Sequence, residues 1–256
     1  MDAVPFERPL RYDAWSLPAA FAKRGSGGVS QMPAVIFDLD DTLYPHVQHV
    51  HSGFAAVATY VDRLFNVPAK DVYATLRVAR DLGDRGREFQ KICQVYRLDV
   101  AIMPDLVREY RAHRPQLWLR HDASAALRAL RDAGWRTALL TNGDPAVQSA
   151  KVRVLGLESL VDHVVYADDY APGGKPLPEP FIEALRRLQV GPDEAVMVGD
   201  DPVNDIEGAR ALGIRTIVLA RTARPRHDGA DAVVRLLSEV PAVAAGLLLR
   251  RMAHAA

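Results

Sequence analysis

Six short apolar runs rich in β-branched residues, spaced along the chain by helical patterns, leave this sequence few folds. AVIF (34–37), RTALL (136–140), HVVY (163–166), AVMV (195–198), RTIVL (215–219) and a weaker DAVV (231–234) are each bounded by turn residues. Runs that stay apolar, instead of alternating with polar residues, belong to strands buried on both faces, and that burial calls for a parallel sheet covered by helices. The intervening segments supply the helices. ASAALRALRDAG ends at Gly134, PAVQSAKVRVLG at Gly156 and NDIEGARALG at Gly213, glycines suited to a left-handed helix cap, and PLPEPFIEALRRLQ shows the same helical spacing. The expected fold class is α/β.

One interval breaks the alternation. Between Pro45 and about Leu119 no buried strand is evident, while GFAAVATYVDRLF, KDVYATLRVARDL, REFQKICQVYR and PDLVREYRAHR all carry helical spacing with many charges. Roughly 75 residues thus form a helical insertion directly after the first strand. Loops that follow strands lie at the carboxyl edge of a parallel sheet, where ligands bind, so an insertion there is placed as a lid. The expected division is a peripheral N-terminal arm over residues 1–32, with GSGGVS (25–30) as its joint, a catalytic core from 33–45 and 120–256, and a helical cap over 46–119. The total of 256 residues accommodates one core with an accessory unit.

Composition excludes several functions. Lys plus Arg and Asp plus Glu both number 32, so the net charge is zero and no global basic field exists to hold a nucleic acid polymer. The first residues carry Asp2 and Glu7 and no secretory apolar run, and the apolar stretch 240–249 is about half of what a bilayer needs. The expectation is a cytoplasmic protein without a membrane partner. The lone cysteine, Cys93, cannot form an internal disulfide and reads as core filler.

The densest chemistry lies in AVIFDLDDTLYP (34–45), where a buried strand runs into Asp38, Asp40, Asp41 and Thr42. In an extended backbone Asp38 and Asp40 point to the same side, and two carboxylates that close repel unless a cation or a proton lies between them. Mg²⁺, a hard ion that takes one or two carboxylates with water and phosphate oxygens, suits such a pair. By itself an Asp-x-Asp is as well read as a turn cap. Three other strand ends carry complementary groups. LLTNGDP (139–145) sets Thr141 and Asn142 before a helix N-terminus, where a hydroxyl and free amides bind an anion. APGGKPLPEPF (171–181) holds Lys175 between Gly174 and Pro176, as a counter-charge for a phosphate oxygen. AVMVGDDPVNDIEGAR (195–210) ends a strand in Asp200 and Asp201, with Asp205 at the helical entry.

Taken in that order, the four motifs resemble the haloacid dehalogenase superfamily, in the branch whose helical cap lies between the first and second motifs. The resemblance runs from about Ala34 to Leu219. It implies a Rossmann-like core and a phosphatase of a small phosphorylated metabolite, a sugar phosphate or nucleoside monophosphate. It makes Asp38 the nucleophile that forms an aspartyl-phosphate, and Asp40 the acid that protonates the leaving oxygen and then the base that activates water. Thr42 supports the loop, Thr141 and the backbone at Asn142 hold the transferring group, and Lys175 offsets its charge. Mg²⁺ is expected on Asp38, the backbone carbonyl of Asp40 and Asp200, with Asp205 or Asp201 orienting a ligand. Many relatives carry a serine where this chain has Asp201, so the second acidic partner stays open between those two.

Substrate choice is expected where cap meets core. Tyr44 and His46 directly follow the catalytic strand and are placed to touch the leaving group, with His49, His51, Arg77, Arg80, Arg85, Arg87 and Arg97 further along the insertion. FDLDDTLYP is also similar to the pyrimidine nucleotidase-like members of the branch. Carbon–halogen cleavage releases halide and needs no acid two residues after the nucleophile, so Asp40 favours phosphate. Phosphonate cleavage calls for a cap lysine, and Lys70 and Lys91 have no distinctive context. A phosphomutase of the same fold and a binding or scaffold protein without turnover are the rival readings.

Overall fold

All four residues of β1 (Ala34–Phe37) are inaccessible to solvent, because the strand lies inside a sheet and is covered on both faces. The computed structural model describes residues 32–220 and 229–254, the last five by backbone alone. The arm expected ahead of residue 32, with its GSGGVS joint, lies outside the described residues. The sheet has six strands in the order β3-β2-β1-β4-β5-β6, with β2 (Arg136–Thr141), β3 (His163–Tyr166), β4 (Ala195–Gly199), β5 (Arg215–Leu219) and β6 (Ala232–Val234) all paired in parallel. From β1 the chain builds outward through β2 and β3, then crosses back to β4 and continues through β5 to β6. That reversal puts the topological switch point between β1 and β4, where the loops diverge and open a crevice at the carboxyl edge.

The strands fall where the apolar runs lie, with small differences at their ends. β2 runs one residue further, to Thr141, and β4 takes in Gly199. β6 starts at Ala232 because Asp231 is drawn away: its carboxylate accepts from the Thr216 amide at 2.9 Å and hydroxyl at 3.0 Å, and from Arg215 at 2.6 Å.

Helices α1 (Val47–Phe65), α2 (Ala69–Asp81), α3 (Glu88–Tyr96) and α4 (Met103–Ala112) fill the interval after β1, and α5 (His121–Asp132) leads into β2. Further on come α6 (Pro145–Val154), α7 (Pro178–Leu188), a wide π-type turn at Pro202–Glu207 running into α8 (Gly208–Ala211), and α9 (Val240–His254). Val35 and Phe37 of β1 share a core with Leu127 and Leu130 of α5 and Val240 and Ala244 of α9. The inserted helices bury their apolar faces against one another instead. Val50, Phe54, Val57 and Val61 of α1 meet Val72 and Leu76 of α2, Ile92 of α3 and Leu106 of α4. Cys93 lies inside this second core, its Sγ 4.0 Å from Met103 Sδ.

α1 begins six residues ahead of its clearest apolar pattern and so takes in His49 and His51. Its polar face is used. Gln48 Oε1 accepts from the Trp118 amide and Ser52 Oγ from the Gln116 amide, each at 2.9 Å, while the Arg120 amide donates to the Leu43 carbonyl at 3.1 Å. The two strands of chain that join insertion to sheet are thereby fastened side by side. Among the described residues no helix is long and apolar enough to cross a membrane.

Candidate active site

Asp38 extends the sheet by one residue, its amide donating to the Val198 carbonyl at 2.9 Å. It therefore emerges at the carboxyl edge beside Gly199 and Asp200. The chain then turns at Asp41, whose φ of 58° is left-handed and whose Oδ1 accepts from the His46 amide at 2.9 Å.

Lys175 is the hub of the buried side. Its Nζ donates to Asp38 Oδ1 at 2.7 Å, Asp205 Oδ1 at 2.6 Å and the Leu140 carbonyl at 3.0 Å, one partner for each ammonium hydrogen. The loop that carries it is held by Asn142, whose Oδ1 accepts from the Lys175 amide at 2.8 Å and whose Nδ2 donates to the Lys175 carbonyl at 2.9 Å. The side chain of Asn142, one of the residues expected to bind substrate, thus serves the lysine loop. Gly174 is required there: its φ is +63°, and a Cβ would stand 2.5 Å from Asn142 Oδ1 and 2.7 Å from Asp168 Oδ1.

Asp38, Asp200 and Asp205 each bring a carboxylate oxygen within 4.8 Å of the others. Asp205 is almost wholly buried, and its Oδ2 accepts from the Asp201 amide at 3.1 Å. Gly199 leaves room for it, since a Cβ on that residue would collide with Asp205 Oδ2. Asp201 faces its own backbone, its Oδ1 accepting from the Val203 and Asn204 amides at 2.9 Å. Thr42 is buried and reaches Asp200 Oδ1 through its hydroxyl at 3.3 Å.

Charge is unevenly balanced across this group. Burial pushes Asp38 up to about 8, with Lys175 opposing and Asp205 adding to the rise. Burial likewise takes Asp200 to about 7, helped by Asp205 and Asp41. For Lys175 burial works against the ammonium, but Asp205 and Asp38 outweigh it and raise the pKa above the ordinary lysine value.

Asp40 has different surroundings. Lys151 Nζ spans both its oxygens at 2.9 and 2.8 Å, Gln148 Nε2 donates to Oδ2 at 3.0 Å, and the Tyr44 hydroxyl donates to Oδ1. Burial opposes ionisation, yet Lys151, His46 and these hydrogen bonds hold Asp40 at about 2. Tyr44, expected at the leaving group, is buried, with its hydroxyl turned to Asp40. Thr141 ends β2 nearby, and Gln148 Nε2 also donates to its Oγ1.

Gln148 and Lys151 were not among the residues singled out from sequence. The signal is their register: with Val152, and with Leu155 just past the helix end, they form a buried stripe along α6 at helical spacing, two polar residues in positions that normally take apolar ones.

His46 is partly buried at the entry to α1 and stacks on His49, ring centroids 5.8 Å apart. His49 is only 4% exposed, packed edge-on to Tyr110 at 5.6 Å and 5.0 Å from His113. Burial, then Lys151 and His113, bring its imidazole down to about 3. His51 meets Tyr73 edge-on. Arg77, Arg85, Arg87 and Arg97 are exposed, and partly buried Arg80 pairs with Glu88 at 3.1 Å.

A model of the haloacid dehalogenase-like hydrolase family matches residues 32–213. The ribulose-1,5-bisphosphate 5-phosphatase of Halopiger xanaduensis is 31% identical over 202 residues, 72% of this chain and 83% of that protein. Among solved structures, a HAD phosphatase from Thermococcus onnurineus superposes with a TM-score of 0.59 at 26% identity, covering 84% of this chain and 99% of the other. A 2-haloacid dehalogenase from Pseudomonas syringae pv. Tomato DC3000 gives the same score and coverage at 27% identity.

Proposed function

The chain belongs to the haloacid dehalogenase-like hydrolases and is a phosphatase, and from that premise we propose that it hydrolyses a small phosphorylated metabolite, a sugar phosphate or nucleoside monophosphate, through an aspartyl-phosphate on Asp38 with Mg²⁺ as cofactor. The observation that carries this reading is the meeting of Asp38, Asp200 and Asp205 within 4.8 Å, with Lys175 bonded to two of them. Three carboxylates form a hard oxygen donor set, and burial with mutual repulsion raises two of them, an excess of negative charge that a divalent cation relieves. Asp38 and Asp200 would bind Mg²⁺ directly, with the Asp40 carbonyl, and Asp205 would orient from behind. When bound, Mg²⁺ supplies positive charge to the phosphoryl oxygens and favours the ionised form of Asp38.

Asp38 attacks phosphorus as the bond to the leaving oxygen breaks, and Asp40 gives that oxygen a proton. Water then attacks the aspartyl-phosphate, passing a proton to Asp40, and releases inorganic phosphate with both carboxyls restored. Asp40 rests as a carboxylate, and the negative charge of an entering phosphate ester favours its protonation, so the acid assembles with the substrate. Thr141 and Lys175 hold the transferring group. Residues 33–45 and 120–256 serve as the catalytic core and 46–119 as its cap. Halide release needs no proton at the leaving group, so an acid–base carboxylate at position 40 argues for phosphate over carbon–halogen cleavage.

The test is phosphate release from p-nitrophenyl phosphate with and without Mg²⁺, followed by a panel of phosphorylated metabolites. Metal-dependent release that Asp38→Asn abolishes is expected. Turnover indifferent to the metal or to that substitution rejects the reading, and phosphate retained on a second substrate oxygen points to a mutase.

A further inference from the structure

We propose that Lys151 and Gln148 of α6 are positioning residues that orient the Asp40 carboxyl and the Thr141 hydroxyl together; the inference rests on the phosphatase reading above. Both side chains are buried, at 3% and 2% exposure, and burying a lysine and an amide is unfavourable unless both are paired. They are paired with the acid–base residue. Oδ1 of Asp40 accepts from Lys151 and Tyr44, and Oδ2 from Lys151 and Gln148. Those four bonds fill the roughly four acceptor positions of a carboxylate.

Proton transfer occurs at one oxygen, so one of the bonds to that oxygen must yield. Lys151 spans both oxygens, and it keeps its bond to the second while the first releases. The carboxyl plane therefore stays aimed as the proton passes from Asp40 to the leaving oxygen, and again when water returns one. Gln148 adds a second alignment. Its amide donates to Thr141 Oγ1 as well as to Asp40 Oδ2. A hydroxyl that accepts there has its own hydrogen free to donate, and the phosphoryl group is the acceptor it would meet. Spaced three residues apart on one helix face, the two side chains lock the leaving-group side and the phosphoryl side of the reaction to the same element.

The prediction concerns leaving groups. An alkyl phosphate needs the proton that Asp40 delivers, whereas p-nitrophenolate departs as a stable anion. Lys151→Met should lower kcat on the fastest alkyl monoester of a sugar-phosphate panel by about 100-fold or more, the low end of general acid–base contributions, and lower kcat on p-nitrophenyl phosphate by less than tenfold. KM for both should move little. Lys151→Arg should recover most of the alkyl ester rate, and Gln148→Leu should show the same selectivity in weaker form. In an Asp40→Asn background Lys151→Met should have no further leaving-group effect, because the two act on one step. Equal losses on both esters, or additive losses with Asp40→Asn, would show Lys151 to be structural only and overturn the inference. A wild-type enzyme that turns over neither ester rejects the phosphatase reading itself, a different outcome from unequal or equal losses in the variants.

Discussion

Asp201 and Asp205 sit four positions apart on one turn, and their surroundings assign them opposite work. Asp201 accepts the Val203 and Asn204 amides and caps the turn, whereas Asp205 lies under Lys175 with an oxygen near Asp38 and Asp200. Asp201→Ala should therefore cost about 1 kcal/mol of stability, the ordinary loss of a cap, with turnover kept. Asp205→Asn should depress both turnover and Mg²⁺ affinity, because it removes one of the two carboxylates that fix Lys175. Thermal unfolding and steady-state kinetics on the pair decide between them, and similar kinetic losses in both variants would refute the assignment. Local sequence could not choose, since either aspartate suits a turn after a strand. Packing separates their positions: Gly199 leaves the space that Asp205 fills, while Asp201 turns to its own backbone.

At the scale of elements, the six strands were legible because an apolar run between turn residues is a local property. The start of α1 was not. Its first turns carry Gln48 and Ser52, whose role is to hold the returning chain at Trp118 and Gln116, a contact across the insertion that no local pattern announces. α6 was legible as a helix, from its spacing and from Gly156 past its end, and Asp144 caps its Ala146 amide, but the face of that helix that meets Asp40 was not legible. The insertion, with its own apolar core, should respond as a unit. Leu76→Ala, fully buried between α1 and α2, should cost about 2–5 kcal/mol. Hydrogen exchange should report the loss first in α1–α4, with β1, β2 and β4 still protected. Uniform deprotection of sheet and insertion would contradict that expectation.

For the whole molecule, the site's electrostatics set a pH dependence with a definite sign. Asp38 at about 8 and Asp200 at about 7 stand above the unfolded value of 3.8. The native state therefore holds more protons than the unfolded chain through that interval, and stability falls as pH rises through it. Asp40, lowered to about 2, contributes stability that is complete above 3.8, and His49, lowered from 6.5 to about 3, contributes stability that is complete above 6.5. Of these four groups, the two raised carboxylates are the ones left to act between about pH 6.5 and 8. Calorimetry of the metal-free protein should show Tm declining across that interval, with the gain on adding Mg²⁺ larger at pH 8 than at 6.5, because the cation competes with protons for the same oxygens. A metal-free Tm that climbs over the same range, or an Mg²⁺ gain that shrinks, would be inconsistent with these carboxylates as the binding site.

Hydrophobic periodicity and turn chemistry act over a few residues, so the sequence alone determined the α/β class, the helical insertion after the first strand and the reactive groups waiting at four strand ends. Partners of buried charges are set by which strands lie side by side. Lys151 and Asp40 are separated by 111 positions and meet because β1 and β2 are neighbours in the sheet and α6 leaves the end of β2. Only the tertiary structure decided that Tyr44 turns to Asp40, that Asn142 serves Lys175 and that Asp205 completes the carboxylate cluster, because each of those pairings repays a desolvation that exists only once the chain has closed around it.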